Sequence, residues 1–135
     1  MKLEIHRKYG LKFVLYLIRK LQNYIIGSID TRKLSKIEEY INSVYNENNK
    51  GYISVKNIII SGAMNLTYTI YPTKFVIEIN SNEIYYRTNA KLYELCKLIN
   101  YGVLGVTAYP IFTESFKYIN DNINLLFERY MQEEE

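Results

Sequence analysis

The stretch Ala63-Met64-Asn65-Leu66-Thr67-Tyr68-Thr69-Ile70-Tyr71-Pro72-Thr73-Lys74-Phe75-Val76-Ile77-Glu78-Ile79-Asn80 decides the fold. In its first half Met64, Leu66, Tyr68 and Ile70 alternate with Asn65, Thr67 and Thr69, and in its second half Phe75, Ile77 and Ile79 resume the alternation. Side chains of a strand point to opposite faces in turn, so a period of two predicts half-buried strands. Between them Tyr71-Pro72-Thr73-Lys74 reads as a turn, because Pro supplies the fixed φ of a turn position. The stretch therefore predicts a β-hairpin over 63–80.

Upstream, the apolar run Val55 to Ile60 reads as a further strand, and the polar run Asn46 to Gly51 separates it from two helical patterns. From about Lys8 to Ile26, Leu11, Val14, Leu15, Ile18, Leu21 and Ile25 recur at steps of three and four, the stripe of an amphipathic helix that Gly27 ends. Ser28 or Asp30 can cap a second helix with Leu34, Ile37, Ile41, Val44 and Tyr45 on one face. Downstream, an extended piece Glu83 to Arg87 leads to Thr88 or Asn89 as the cap of a helix carrying Leu92, Leu95, Cys96 and Ile99, which Gly102 closes. The segment Tyr101 to Phe112 reads as irregular. Thr113 then caps a last helix with Phe116, Ile119, Ile123, Leu126, Phe127 and Tyr130 on its face, and Gln132 to Glu135 is a tail expected to fray.

These elements give an α+β class: two N-terminal helices, a small antiparallel sheet built on a β-hairpin, and two C-terminal helices packed on it. One domain spans 1–135, with a helical basic region at 1–50, the hairpin sheet at 51–87, the C-terminal helices at 88–131 and an acidic tail at 132–135. The length of 135 residues, 48% hydrophobic and 23% charged, fits one folded domain with its own core. Cys96 is the only cysteine, so no intramolecular disulfide can form, and a reducing compartment is expected. The charged N-terminus lacks the pattern of a signal peptide, and no run reaches the ~18 apolar residues of a membrane span. A soluble protein with no membrane contact is expected.

Catalysis of familiar kinds needs a nucleophile with its base, paired carboxylates or a metal cluster. His6 is the only histidine and lies near a terminus expected to fray, while Cys96 falls on an apolar helix stripe, where cysteine behaves as a small hydrophobe. Asp30 and Asp121 are the only aspartates; Glu38-Glu39 and Glu133 to Glu135 read as solvated positions, and no phosphate-binding glycine loop occurs. A non-enzyme without catalytic residues, cofactor or metal is expected.

The formal charge of +3 hides an asymmetry. Met1 to Lys36 carries nine basic residues against Glu4 and Asp30, a balance of +7, and the other 99 residues carry eight against twelve, or −4. Such a split suits either solvated helix faces or a surface for nucleic acid or an acidic partner. The spread of the basic residues along helices, without a compact aromatic-basic cluster, favours the first. Fifteen tyrosines suit protein interfaces, since each offers a rigid apolar body with a polar tip.

One ordered set of segments goes further. Ser61-Gly62-Ala63-Met64-Asn65-Leu66-Thr67 reads as the opening of the hairpin; Tyr101-Gly102 follows, then Ala108-Tyr109-Pro110-Ile111-Phe112 and a terminal amphipathic helix. This order resembles the small neck, or tail-completion, proteins of tailed bacteriophages, the head-tail joining family. Their pattern is a Thr-Gly-x-Leu-x-x-Ser-like turn, a Glu-Tyr-Gly or Glu-Phe-Gly segment, and an Ala-x-Pro-Phe-like lead into the last helix. The resemblance covers roughly Ile58 to Met131. Asn100 stands where the acidic residue before Tyr-Gly would be, Asn65 replaces a commonly basic residue, Ile111 intervenes before Phe112, and the lead-in lacks its proline.

The resemblance implies a homo-oligomeric ring at the neck of a phage or phage-derived tail. It implies partners among the connector or adaptor, tail-terminator and tail-tube proteins, assembly in the bacterial cytoplasm, and residence in the finished particle. Ser61, Gly62, Met64, Tyr101, Gly102, Ala108, Pro110 and Phe112 are its structural residues: Gly62 is expected to permit a tight entry into the hairpin, Gly102 and Gly105 to bend the chain, and Pro110 to fix the approach of Phe112. In such a ring Arg7, Lys8, Lys12, Arg19 and Lys20 are candidates for non-specific contact with DNA in the lumen. Two other classes fit the composition: a small mobile-element inhibitor or regulator that binds a host protein, and a nucleic-acid-binding regulator using the basic first helix, against which the lack of a helix-turn-helix signature counts.

Overall fold

The computed structural model describes residues 1–46 and 51–133. Most of the polar run after the second helix, and the last two residues of the acidic tail, lie outside the described residues. Among the described residues the order is β1 (Lys2–His6), α1 (Leu11–Gly27), α2 (Ser35–Tyr45), α3 (Val55–Met64), β2 (Leu66–Ile70), β3 (Lys74–Ile79), α4 (Leu92–Tyr101), α5 (Ile111–Asp121) and α6 (Ile123–Glu133). Helices and a three-stranded antiparallel sheet of order β1-β3-β2 make this an α+β fold.

The hairpin stands at Leu66–Ile79, with Leu66 opposite Ile79 and Ile70 opposite Phe75, and the Tyr71 N–H donates to the Lys74 carbonyl at 2.8 Å across the turn. Its third strand is the extreme N-terminus, which pairs Leu3 with Ile77 and Ile5 with Phe75. Leu3 and Ile5 are buried while Lys2, Glu4 and His6 are exposed, a period of two over the first six residues. The terminus is thus a strand rather than a frayed end, and the region before Gly51 is not wholly helical. His6 closes the strand, and its Nδ1 accepts from the Lys8 N–H at 3.0 Å.

The first helix begins at Leu11, not Lys8, because Arg7–Tyr9 form a 3-10 turn and Gly10 takes φ +80. Its buried side is Phe13, Val14, Tyr16, Leu17, Leu21 and Ile25, so the apolar stripe is rotated from the expected one and leaves Leu11 and Leu15 exposed. Asp30 caps a 3-10 turn through its contact with the Arg32 N–H, and α2 starts at Ser35.

The run from Val55 is α3, a third helix before the hairpin and not a strand. Its buried residues Val55, Ile58, Ile59, Gly62 and Ala63 follow steps of three and four. Two side chains satisfy its first free N–H groups: Ser54 Oγ accepts from Asn57, and Glu38 Oε2 accepts from Val55 at 2.9 Å. Ser61 and Gly62 are therefore helical, and Met64 ends the helix rather than opening the strand. Glu38 is half-buried and also accepts from the Tyr52 hydroxyl, so its carboxylate is engaged by the protein and not simply solvated.

The C-terminal region holds three helices, not two. Lys91, rather than Thr88 or Asn89, precedes α4, and Thr88 Oγ1 instead accepts from the Ala90 N–H. The last pattern divides at Asn122, whose N–H turns back to the Tyr118 and Ile119 carbonyls between α5 and α6. Gln132 and Glu133 belong to α6. Against α1 this helix sets Phe127 and Tyr130, with ring centroids 5.0 Å and 5.4 Å from Phe13, and Tyr9 and Tyr16 complete the aromatic cluster. The core is continuous from the sheet face through α1 to α5.

Candidate functional site

The three segments of the ordered motif meet where α3 ends, α4 ends and α5 begins. Gly62 faces Cys96 and Phe112 so closely that a Cβ on it would lie 2.7 Å from Cys96 Sγ and 2.9 Å from Phe112 Cζ. Phe112 and Cys96 are fully buried there. Gly62 is thus the contact that lets α3, α4 and α5 close on one another, not a turn residue at the hairpin entry. Burial pushes the Cys96 thiol up to about 12, so it is a neutral hydrophobe in the node.

The polar centre of the node is Asn100, only 1% exposed. Its Oδ1 accepts from the Phe112 N–H at 3.1 Å and the Thr113 N–H at 3.0 Å, and its Nδ2 donates to Thr113 Oγ1 at 2.8 Å. These are free N–H groups of the first turn of α5, so a side chain from the end of α4 caps the next helix. Thr113 lies inside that helix and does not cap it; Pro110 occupies the N-cap position without a side-chain bond of its own.

Tyr101 is exposed, and its hydroxyl accepts from the Met1 amino group at 3.0 Å. Gly102 has φ +78, and a Cβ there would lie 2.8 Å from the Val106 carbonyl oxygen and 2.9 Å from the Ala108 nitrogen. Only glycine fits both the backbone angle and this approach. Between Gly102 and Ala108 the chain makes a tight turn in which the Val106 N–H donates to the Val103 carbonyl at 2.9 Å, and Leu104 at its tip is fully exposed. The Tyr109 N–H then returns to the Ile99 carbonyl at 2.8 Å, which carries Ala108 and Pro110 back to α4. Ser61 is half-buried, with its carbonyl accepting from Asn65 Nδ2, and Met64 is exposed.

The five basic candidates are not equivalent. Arg7 donates to the Tyr71 carbonyl at 2.7 Å and lies 5.0 Å from the centre of the Phe75 ring, so it secures the hairpin turn. Lys8 and Lys20 lie over the rings of Tyr9 and Tyr16. Lys12 and Arg19, two turns apart on α1, belong with Leu11 and Leu15 to the exposed flank of that helix, and Arg19 is exposed on it as Lys12 is. This face is therefore mixed, apolar and basic.

Sequence reasoning missed two features. Asn100 was legible only as a departure from the motif, and its capping role needs the return of the chain at Tyr109. The open edge of β1 had a signal, the alternation of Lys2-Leu3-Glu4-Ile5-His6, which is short and lies at a terminus. Among the described residues no group of three or more His, Cys, Asp or Glu is placed to hold a metal ion, and no helix is long and apolar enough to cross a membrane. No protein-family model matches the chain, and no curated protein or solved structure matches it either.

Proposed function

We propose that the chain is a non-enzymatic structural protein of a tailed phage or phage-derived particle, joining or completing the tail at the neck as one subunit of a ring. The observation that supports this reading is the meeting of the three motif segments in one node, with Gly62 against Phe112, Asn100 capping the helix that begins at Ile111, and Gly102 against Ala108. Segments that follow one another in a family's order, and that serve one piece of architecture here, are consistent across levels.

In this reading adjacent subunits meet in a heterologous, closing contact, for which the fully exposed Leu104 on its tight turn is available. Lys12 and Arg19 then face DNA by non-specific, salt-sensitive attraction. Electron microscopy of particles made without the gene tests the proposal. Unjoined heads and tails, or tails of abnormal end, are expected; normally joined and terminated particles would overturn it. A one-to-one complex with a host enzyme, together with unaltered particles, would put the inhibitor reading in its place.

A further inference from the structure

The sheet ends at β1, and the pairing pattern says which of its backbone groups are free. The Arg7 N–H donates to the Thr73 carbonyl at 3.1 Å, so by the two-residue alternation of an antiparallel ladder Leu3 and Ile5 turn their N–H and C=O toward β3. Lys2 and Glu4 turn theirs outward, and among the described residues no hydrogen bond takes up these groups. Beside this edge runs a groove of about 510 Å³. One wall is the consecutive run Met1 to Glu4; the other is Thr113, Phe116, Lys117 and Asn120, one flank of α5 at helical spacing.

We propose that this edge takes an extended segment of a partner protein as a fourth strand, lying along the open edge of β1 and against the exposed flank of α5, with an acidic side chain of the segment set beside Lys2. An unpaired edge next to a helix is the geometry of strand addition, in which main-chain hydrogen bonds supply affinity and alternate side chains supply specificity. The charge of the occupant follows from the groove. Glu4 is taken by Lys74 at 3.0 Å and Lys117 by Asp121 at 2.7 Å, whereas Lys2 has no ion-pair partner within 4.0 Å among the described residues. Glu78 stands opposite Lys2 on β3 but forms no ion pair with it within 4.0 Å, so the charge left at the open edge is positive, an acidic residue is selected and a basic one opposed. A second complete sheet is disfavoured as occupant, because α5 packs over β1 and a helix carried by the incoming edge would meet it. The inference does not rest on the ring reading.

The test uses the full chain, labelled with nitrogen-15, and blocked seven-residue peptides that alternate valine with glutamate. Addition of the peptide is expected to slow amide exchange at Glu4 by about tenfold or more at saturation and to shift resonances along Met1 to His6 and the flank of α5. Replacing the peptide's glutamates by lysine is expected to weaken binding up to about fivefold, and Lys2→Glu to reverse that preference. Because Lys2 stands opposite Glu78, Lys2→Gln serves beside Lys2→Glu as a variant without like charges across the strands, and it is expected to abolish the preference for glutamate over lysine. No protection at Glu4, equal binding by peptides N-methylated at every second position in either frame, or an unchanged preference in Lys2→Glu would each overturn the proposal. None of these outcomes bears on whether particles assemble without the gene.

Discussion

Gly62 and Phe112 are in contact so close that a methyl group on Gly62 would stand 2.9 Å from Phe112 Cζ. The obstacles are this buried ring and the still nearer Cys96 Sγ at 2.7 Å, so the neighbours must shift. Gly62→Ala is expected to destabilise the chain by about 1–3 kcal/mol through overpacking, although alanine favours helices. Urea denaturation followed by circular dichroism measures it, and an unchanged or raised midpoint would contradict the contact.

Asn100 ties α4 to the start of α5 with an acceptor shared by two N–H groups. Asn100→Ala leaves the buried Phe112 N–H and the partly buried Thr113 N–H without their acceptor, and a loss of about 1–3 kcal/mol is expected. Asn100→Asp keeps the acceptor at the positive end of the helix and is expected to lose less. The order of the two variants in denaturant midpoint distinguishes a cap from simple loss of volume.

The thiol of Cys96 is raised from 9.0 to about 12 by burial. A raised folded value means that the native state holds its proton while the unfolded chain has released it. The contribution is therefore complete below pH ~9 and is lost as pH rises toward ~12, by up to about 4 kcal/mol. Comparing wild type with Cys96→Ala across this window isolates the effect from tyrosine ionisation, which both share. The same burial predicts that thiol reagents label Cys96 only as fast as the node opens.

Tyr52 donates its hydroxyl to Glu38, and this hydrogen bond raises the Tyr52 phenol above its usual range. Glu38→Gln is expected to lower it toward that range, as read by an NMR titration of the ring. Because Glu38 Oε2 also accepts from the Val55 N–H, Glu38→Ala is expected to cost about 1 kcal/mol at the start of α3.

Gly102 takes a positive φ and leaves no space for a Cβ against Val106 and Ala108. Gly102→Ala is expected to destabilise by more than about 1 kcal/mol. Leu104→Ser, at the fully exposed tip of the same loop, is expected to stay within about 0.5 kcal/mol of wild type. Thermal melts of the two variants check the contrast.

Features that depend on local pattern were legible in the order of residues alone. The alternation on both sides of Tyr71-Pro72-Thr73-Lys74 specified the hairpin, the steps of three and four specified helices at α1, α2 and α4, and Gly102 specified where α4 stops, because each rests on neighbours a few residues away. The tertiary structure decided the rest. Val55 to Ile60 is apolar at four of six positions, with Lys56 and Asn57 between them, and is too short by itself to separate a strand from a helix; Ser54, Glu38 and the close seat of Gly62 against Phe112 make it a helix. The first six residues become a strand only because β3 offers an edge to them. The candidate site was legible as ordered segments, but not as a node: Asn100 and Phe112 meet only after the chain turns back through Tyr109, and no local period encodes a contact made by that return.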